Sequence, residues 1–233
     1  MADGIYVGMN GAAARAEQLD AVADNLANAQ TPGFKSATPA FATFFAESAK
    51  RDVAHTAAIG TGIDLRPGVV DVTGSPLDLC PEGEAFLGVR LPNGELAFTR
   101  DGRLKVSADG TLQAANLPVV DASGATISVP PGASPSIQPD GRVMVGGEEI
   151  ARLGLFEMDA SVVPTRLGPY LISGRGVPVQ GSVRVGEIER SNAPAISLAM
   201  AMIAAQRHYE SALQAVQTYK RLDDRANEIG RVR

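Results

Sequence analysis

The stretch Asn25-Leu26-Ala27-Asn28-Ala29-Gln30-Thr31-Pro32-Gly33-Phe34-Lys35 decides how this chain is organised. Proline at 32 fixes φ and removes a backbone donor, and glycine at 33 accepts positive φ, so Thr31-Pro32-Gly33 reads as a turn. Thr31 precedes that proline and is pushed out of the α region, which stops a helix at or before it. Leu26 ends an apolar stripe on the N-terminal side. Asn25 and Asn28 can hydrogen-bond backbone groups left free at a helix end. The local reading is a capped helix followed by a fixed turn.

Upstream, Ile5, Met9, Ala12, Ala16, Leu19, Ala23 and Leu26 step alternately by four and three, the spacing of a heptad seam. Residues 3–28 would make a rod of about 39 Å at about 1.5 Å per residue. Downstream the composition changes. Most of the 25 Gly fall between Gly60 and Gly186, and most of the 15 Pro between Pro67 and Pro178. Helices therefore belong at the ends and a turn-rich body between them. Residues 36–66 read as a linker that contains His55, with Phe41, Phe44 and Phe45 at the spacing of a short helix.

From 67 to 189 the pattern is short strands. Asn93-Gly94, Asp101-Gly102, Asp109-Gly110 and Asp140-Gly141 are hairpin dipeptides. Around them run Phe86–Arg90, Leu104–Val106, Leu117–Val120, Thr126–Val129, Arg142–Val145 and Arg152–Phe156. Ser191-Asn192 then opens a second helix, in which Leu198, Met202, Ala205, Tyr209, Ala212, Val216 and Tyr219 again step by four and three. Matching seams at the two ends of one chain predict that the terminal helices pair as a coiled coil. The fold expected is α+β, with four segments. These are an N-terminal helix and turn (1–35), a linker (36–66), a β-rich body of short antiparallel strands and hairpins (67–189) and a C-terminal helix (190–233).

Composition removes several function classes. A chain of 233 residues with net charge −5 and pI about 5.1 does not suit a nucleic-acid partner. There is no Trp to line a sugar groove. The single cysteine, Cys80, excludes an internal disulfide and a cysteine-rich zinc site, and between Leu79 and Pro81 it reads as a buried small hydrophobe. No apolar run approaches ~18 residues, so no membrane insertion is expected, and Met1-Ala2-Asp3-Gly4 opens no Sec-type leader. On these grounds alone the expectation is a soluble cytoplasmic protein.

Catalytic groups are equally sparse. His55 lies in the linker and His208 on a helix without a second ligand, which leaves neither in a triad. Glu82, Glu84 and Glu95 lie beside turns and offer no convincing carboxylate pair. The Asp-Gly turns lack the ligand density of a calcium loop, and there is no phosphate-binding loop or dinucleotide fingerprint. The reading is no enzyme, no cofactor and no metal.

The opening stretch resembles the N-terminal signature of flagellar hook and basal-body rod proteins. That signature has an Asn-Leu-Ala-Asn, a short spacer, Thr-Pro-Gly, an aromatic and often Lys; Gln30 stands where Asn or Ser is more usual. The body is similar too. Ser75-Pro76-Leu77-Asp78-Leu79 with Gly83-Glu84-Ala85-Phe86 resembles one family block, with Ala85, Leu87 and Cys80 as departures. Phe98-Thr99-Arg100-Asp101-Gly102 with Asp109-Gly110 and Leu112 resembles the next. Ser191-Asn192, Met202-Ile203 and Gln206-Arg207 with Tyr209-Glu210 resemble the C-terminal signature. The tail Asp223-Asp224-Arg225-Ala226-Asn227 is most similar to the proximal rod subtype.

This resemblance implies a structural subunit of the rod, the axial drive shaft of the flagellum, required for motility. Its terminal helices would line the inner tube, with the β body outside. It implies other rod subunits, proximal and distal, and the flagellar export apparatus as partners. It also implies a periplasm-spanning location, reached without a cleaved signal. The residues expected at the seam and subunit interface are Ile5, Met9, Ala12, Leu19, Leu26, Leu198, Met202, Tyr209, Val216 and Tyr219. Asn25, Asn28, Thr31, Pro32, Gly33 and Phe34 fix the turn. Because alanine fills five seam positions, the isolated subunit is expected to have an ordered body and helical ends that are largely disordered or fraying, their folding coupled to assembly. The alternatives are a distal rod or hook-type subunit and a secreted β-rich adhesion module with a helical stalk.

Overall fold

The computed structural model describes residues 2–45 and 54–231 and divides into two compact units. A helical unit holds the described residues of Met1–Ala27, Ala37–Gly62 and Pro194–Arg233. A β unit holds Asn28–Ser36 and Ile63–Ala193. The signature turn thus belongs with the strands rather than with the helix that precedes it.

In the helical unit, α1 (Ala2–Ala27) ends four residues before Thr31, and α2 (Ala195–Arg231) starts directly after Pro194. Proline at that position loses nothing, because the first amides of a helix have no intrahelical acceptor. The two helices pack against each other. A methyl group built at Gly8 would lie 2.9 Å from Cγ2 of Val216, so this glycine lets the two backbones approach closely. The chain leaves α1 and returns to α2 through Phe34 and Asn192, joined by a backbone hydrogen bond of 3.3 Å. Gly8 lies about as far from the end of α1 as Val216 lies from the start of α2, which makes the pair antiparallel.

The segment read as a linker differs from expectation. Strands Ala37–Phe45 and Ala54–Ile63 pair as a two-stranded sheet, so Phe41, Phe44 and Phe45 lie on a strand and not on a short helix. Threonine and phenylalanine favour extended backbone, and Pro39 is tolerated where one edge of a strand needs no donor. The expected linker residues 46–53 lie outside the described residues.

The β unit centres on a six-stranded antiparallel sheet. Its spatial order is Thr165–Arg166, Ile172–Ser173, Leu96–Thr99, Phe86–Arg90, Leu155–Met158 and Gly176–Val179. Phe86–Arg90 is covered on both faces, which is why it reads as an apolar run and not as an alternation. Phe86, Phe98, Val120, Phe156 and Ile172 form one core cluster. Within it the Phe98 and Phe156 rings stand 5.3 Å apart at 58°. Gly88 and Gly176 make room for them, since a Cβ at either would fall 2.4 Å from a ring atom of Phe156 or Phe98. A larger aliphatic cluster joins Leu87 and Val89 of this sheet to Val119 and to Leu79, Leu112 and Val143 of smaller sheets.

Three of the four dipeptides make the hairpins expected of them. Gly94, Gly110 and Gly141 have φ of 87°, 83° and 81°, each donating its amide to the carbonyl three residues back. Asp101-Gly102 does not. Gly102 is there for space, because a Cβ would sit 1.6 Å from the Leu79 carbonyl oxygen. The run Arg152–Phe156 is likewise not one strand. Glu148–Arg152 and Leu155–Met158 belong to different sheets, parted at Gly154, where a Cβ would meet Asp121 O at 2.5 Å.

One stretch of chain closes the unit. Val183–Val185 pairs with Leu79–Pro81, then Gly186 (φ 77°) breaks the ladder, and Glu187–Glu189 pairs with Val70–Val72.

Candidate functional site

Two places carry the residues singled out by the sequence. The first is the junction of the two terminal signatures inside the β unit. Pro32 fixes the approach, and Gly33 adopts φ 70° with its amide donating to Glu189 O at 2.8 Å. A Cβ at Gly33 would lie 2.3 Å from the Asp101 amide nitrogen, so both its conformation and its space demand glycine. Thr31 N donates to Asn28 O at 3.0 Å, and its hydroxyl lies 3.2 Å from Asn28 Oδ1. Phe34 is fully buried under the Arg166 guanidinium, 4.4 Å from its ring centroid.

Asn25 behaves differently from the helix cap expected of it. It belongs to the helical unit, where its Oδ1 accepts from Ala37 N and its Nδ2 donates to Ala37 O, both at 2.7 Å. Its buried amide thus ties α1 to the strand that begins at Ala37 rather than closing the helix end.

At the centre of the junction stands a buried ionic cluster. Lys35 Nζ lies 2.7 Å from Glu189 Oε1 and donates also to Arg66 O at 2.7 Å. Arg100 Nε faces Glu189 Oε2 at 3.1 Å, as an ion pair without a well-directed hydrogen bond. The rest of the Arg100 fork donates to the carbonyls of Pro81, Ala85 and Gly83. Gly68 N donates to Glu189 Oε1 at 2.9 Å. The side chains of Lys35, Arg100 and Glu189 are each 1% exposed. Burial pushes the Lys35 ammonium below its ordinary value of 10.5; Glu189 opposes that shift and Arg100 adds to it. Charges placed this deep survive only where opposite charge and carbonyl oxygens replace water.

Asn192 completes the junction. Its Oδ1 accepts from Ser36 N at 2.7 Å, and its Nδ2 donates to Asp64 O at 2.8 Å and to Arg66 O at 3.1 Å. One amide thus joins the three segments around Ser36, Asp64 and Asn192.

Sequence reasoning found Asn192 and the turn but missed Lys35, Arg100 and Glu189 as partners. The available signal was a charge within apolar surroundings, Phe98-Thr99-Arg100 and Ile188-Glu189. Cys80 is 2% exposed, and burial pushes its thiol above 9.0, which suits an inert side chain.

The second place is the helix pair. Ala12, Ala14 and Ala205 are buried, while Leu19, Leu26, Leu198, Met202, Tyr209, Ala212 and Val216 are half-buried. Met9 and Tyr219 are 53% and 48% exposed, so the seam within the chain passes them by. Ile5 lies on α1, with its side chain outside the described ones. On the other face of α2, Ile196, Met200 and Ile203 step by four and three and stand 81%, 63% and 56% exposed. His208 is exposed on α2, and no group of three metal-ligating side chains occurs among the described residues. Among those residues no helix is long and apolar enough to cross a membrane.

Comparison with known proteins places these features. Residues 5–35 match the family "Flagella basal body rod protein", residues 82–145 match "Flagellar hook protein FlgE/F/G D1 domain", and residues 184–229 match "Flagellar basal body rod FlgEFG protein C-terminal". The flagellar basal-body rod protein FlgF of Escherichia coli (strain K12) is 30% identical over 97% of both chains. FlgF of Caulobacter vibrioides is 30% identical over the whole of both. FlgG of the same bacterium is 28% identical over 90% of this chain and 92% of its own. With both signatures interlocked in the β unit and full-length similarity to FlgF chains, the chain belongs to the flagellar basal-body rod protein family, in its FlgF, proximal-rod branch.

Proposed function

We propose that the helical unit is the face through which this structural rod subunit joins its neighbours. The observation that carries this reading is the outer stripe of α2. Ile196, Met200 and Ile203 remain mostly in water although they follow the spacing of a helix-packing face. Burying each would gain about 1.5–3 kcal/mol. Five of the fourteen seam positions are alanine and the larger seam residues described are no more than half-buried, so the helix pair has little burial of its own. Its ordering is completed by neighbouring subunits. Met9 and Tyr219, exposed in the single chain, serve the same contacts.

The partners are other rod subunits, proximal and distal, and the flagellar export apparatus that delivers the chain without a cleaved signal. The location is the rod as it crosses the periplasm, with the terminal helices toward the inner tube and the β unit outside. The adhesion-module alternative is set aside by membership of the family.

The test is Ile203→Asp in the full chain, expressed in its own cell in place of the wild type. Secretion of the subunit should persist, rods seen in isolated basal bodies should be incomplete, and swimming should be lost. Normal swimming would show that the stripe is not an assembly face.

A further inference from the structure

The junction stores two cations, Lys35 and Arg100, each 1% exposed and both ion-paired with the single carboxylate of Glu189, while Asp64 acts on Lys35 from farther away. Both cations precede their partner in the chain. The carboxylate arrives late, on Glu187–Glu189, the last strand of the unit. The sequence separation between Lys35 and Glu189 is 154 residues. Until Glu189 docks, the same pocket would hold two like charges beside the Phe86 ring, whose centroid lies 6.0 Å from Lys35 Nζ and 5.2 Å from Arg100 Cζ. The carbonyls of Arg66, Pro81, Gly83 and Ala85 solvate these cations but do not neutralise them.

We propose that Glu189 is an electrostatic latch: the paired cations hold the β unit open, and it closes only when the carboxylate of the last strand enters between them. The latch checks completeness. A chain lacking its last strand lacks the charge that makes the core tolerable, however apolar the rest. The backbone supports the same order of events, since Gly33 N donates to Glu189 O and Arg190 N to Val69 O once that strand is seated. Buried unbalanced charge costs far more than one lost hydrogen bond, so charge and not packing is the controlling quantity.

The experiment compares full-length wild type, Glu189→Gln, Lys35→Met and Lys35→Met/Glu189→Gln by urea unfolding, followed through the amide signals of 86–90 and 155–158. Glutamine keeps the size and the acceptor for Gly68 N but removes the charge. Glu189→Gln should lower the urea midpoint by about 1–2 M or leave the unit unfolded in buffer. Adding Lys35→Met should restore at least half of that loss, because it removes one of the two opposed cations. The latch is overturned if Glu189→Gln leaves the midpoint unchanged. It is equally overturned if Lys35→Met deepens the loss in the Gln background, the result expected of a contact valued only for its hydrogen bonds and packing.

Discussion

The β unit and the helical unit, built from one chain, are held together by different means. In the β unit, Leu79, Leu87, Val89, Leu112, Val119, Val120 and Val143 are completely removed from water, and an aromatic cluster adds a second core. In the helical unit, the buried apolar side chains among the described residues are alanines: Ala12, Ala14 and Ala205. At about 25 cal/mol per Å², an alanine returns little against a backbone ordering cost of about 1–2 kcal/mol per residue. The β unit has its stabilisation inside itself. The helical unit keeps Ile196, Met200 and Ile203 on its surface and depends on what covers them.

The largest effect that would sharpen this contrast is expected at Phe98. Phe98→Ala opens a cavity beside Phe156 and Gly176 and should cost the β unit about 3–5 kcal/mol, measured by denaturant unfolding. Amide exchange in α1 and α2 should stay as in the wild type. Loss of protection in the helices to the same degree would mean that the units unfold as one.

A smaller change should act in the opposite direction. Gly8→Leu drives a side chain into Val216 and should weaken the helix pair by about 1–3 kcal/mol. Exchange of the amides from Ala12 to Leu26 should accelerate while those of Phe86–Arg90 do not move. If Gly8→Leu leaves the helices as protected as before, they are not packed at this register.

The smallest effect is a matter of acidity. Hydrogen bonds from Ser107 and Thr111 hold Asp109 below its ordinary 3.8, bonds from Ser161 do the same for Asp159, and the Arg66 guanidinium for Asp64. A carboxyl group depressed in the folded state contributes stability above its unfolded value and loses it as pH falls through the folded one. Denaturant midpoints of the β unit should therefore decline between about pH 4 and pH 2, gradually because these groups lie near water. A midpoint that rises on acidification across that range would contradict the bonding described at these turns.

How much of this was legible depended on whether a residue's role was local. The turns at Asn93-Gly94, Asp109-Gly110 and Asp140-Gly141 are decided by neighbours in sequence, and they form where expected. Pro32-Gly33 turns as its own residues dictate, with Gly33 at φ 70°, and the α2 positions Leu198, Met202, Tyr209, Ala212 and Val216 lie half-buried within the chain. Gly102 looked the same as the other turn glycines because its requirement comes from Leu79 O, a distant backbone atom. The hairpin Ala115-Asn116, with φ of 49° and 65°, was invisible for the converse reason: neither residue is glycine. Strand Ala37–Phe45 escaped because alanine and proline dilute its period and its partner comes later in the chain. The ionic cluster was the least legible. A lysine, an arginine and a glutamate are each ordinarily at the surface, and only the fold brings these three together.

The junction at Asn192 also has a mechanical meaning. The β unit is joined to the rest of the chain near Asn28, Ser36, Ile63 and Ala193, and the hydrogen bonds of Asn192 gather Ser36, Asp64 and Phe34 around one point. Tension applied where the chain enters and leaves the β unit would therefore fall on the short bridge from Gly33 and Phe34 to Glu189 and Asn192. The six-stranded sheet meets this bridge through Arg166 over Phe34 and through Phe86 beside Lys35. A pull applied at Phe34 and Asn192 would thus be borne first by a single knot of polar contacts, before any strand of the β unit had to part from its neighbour.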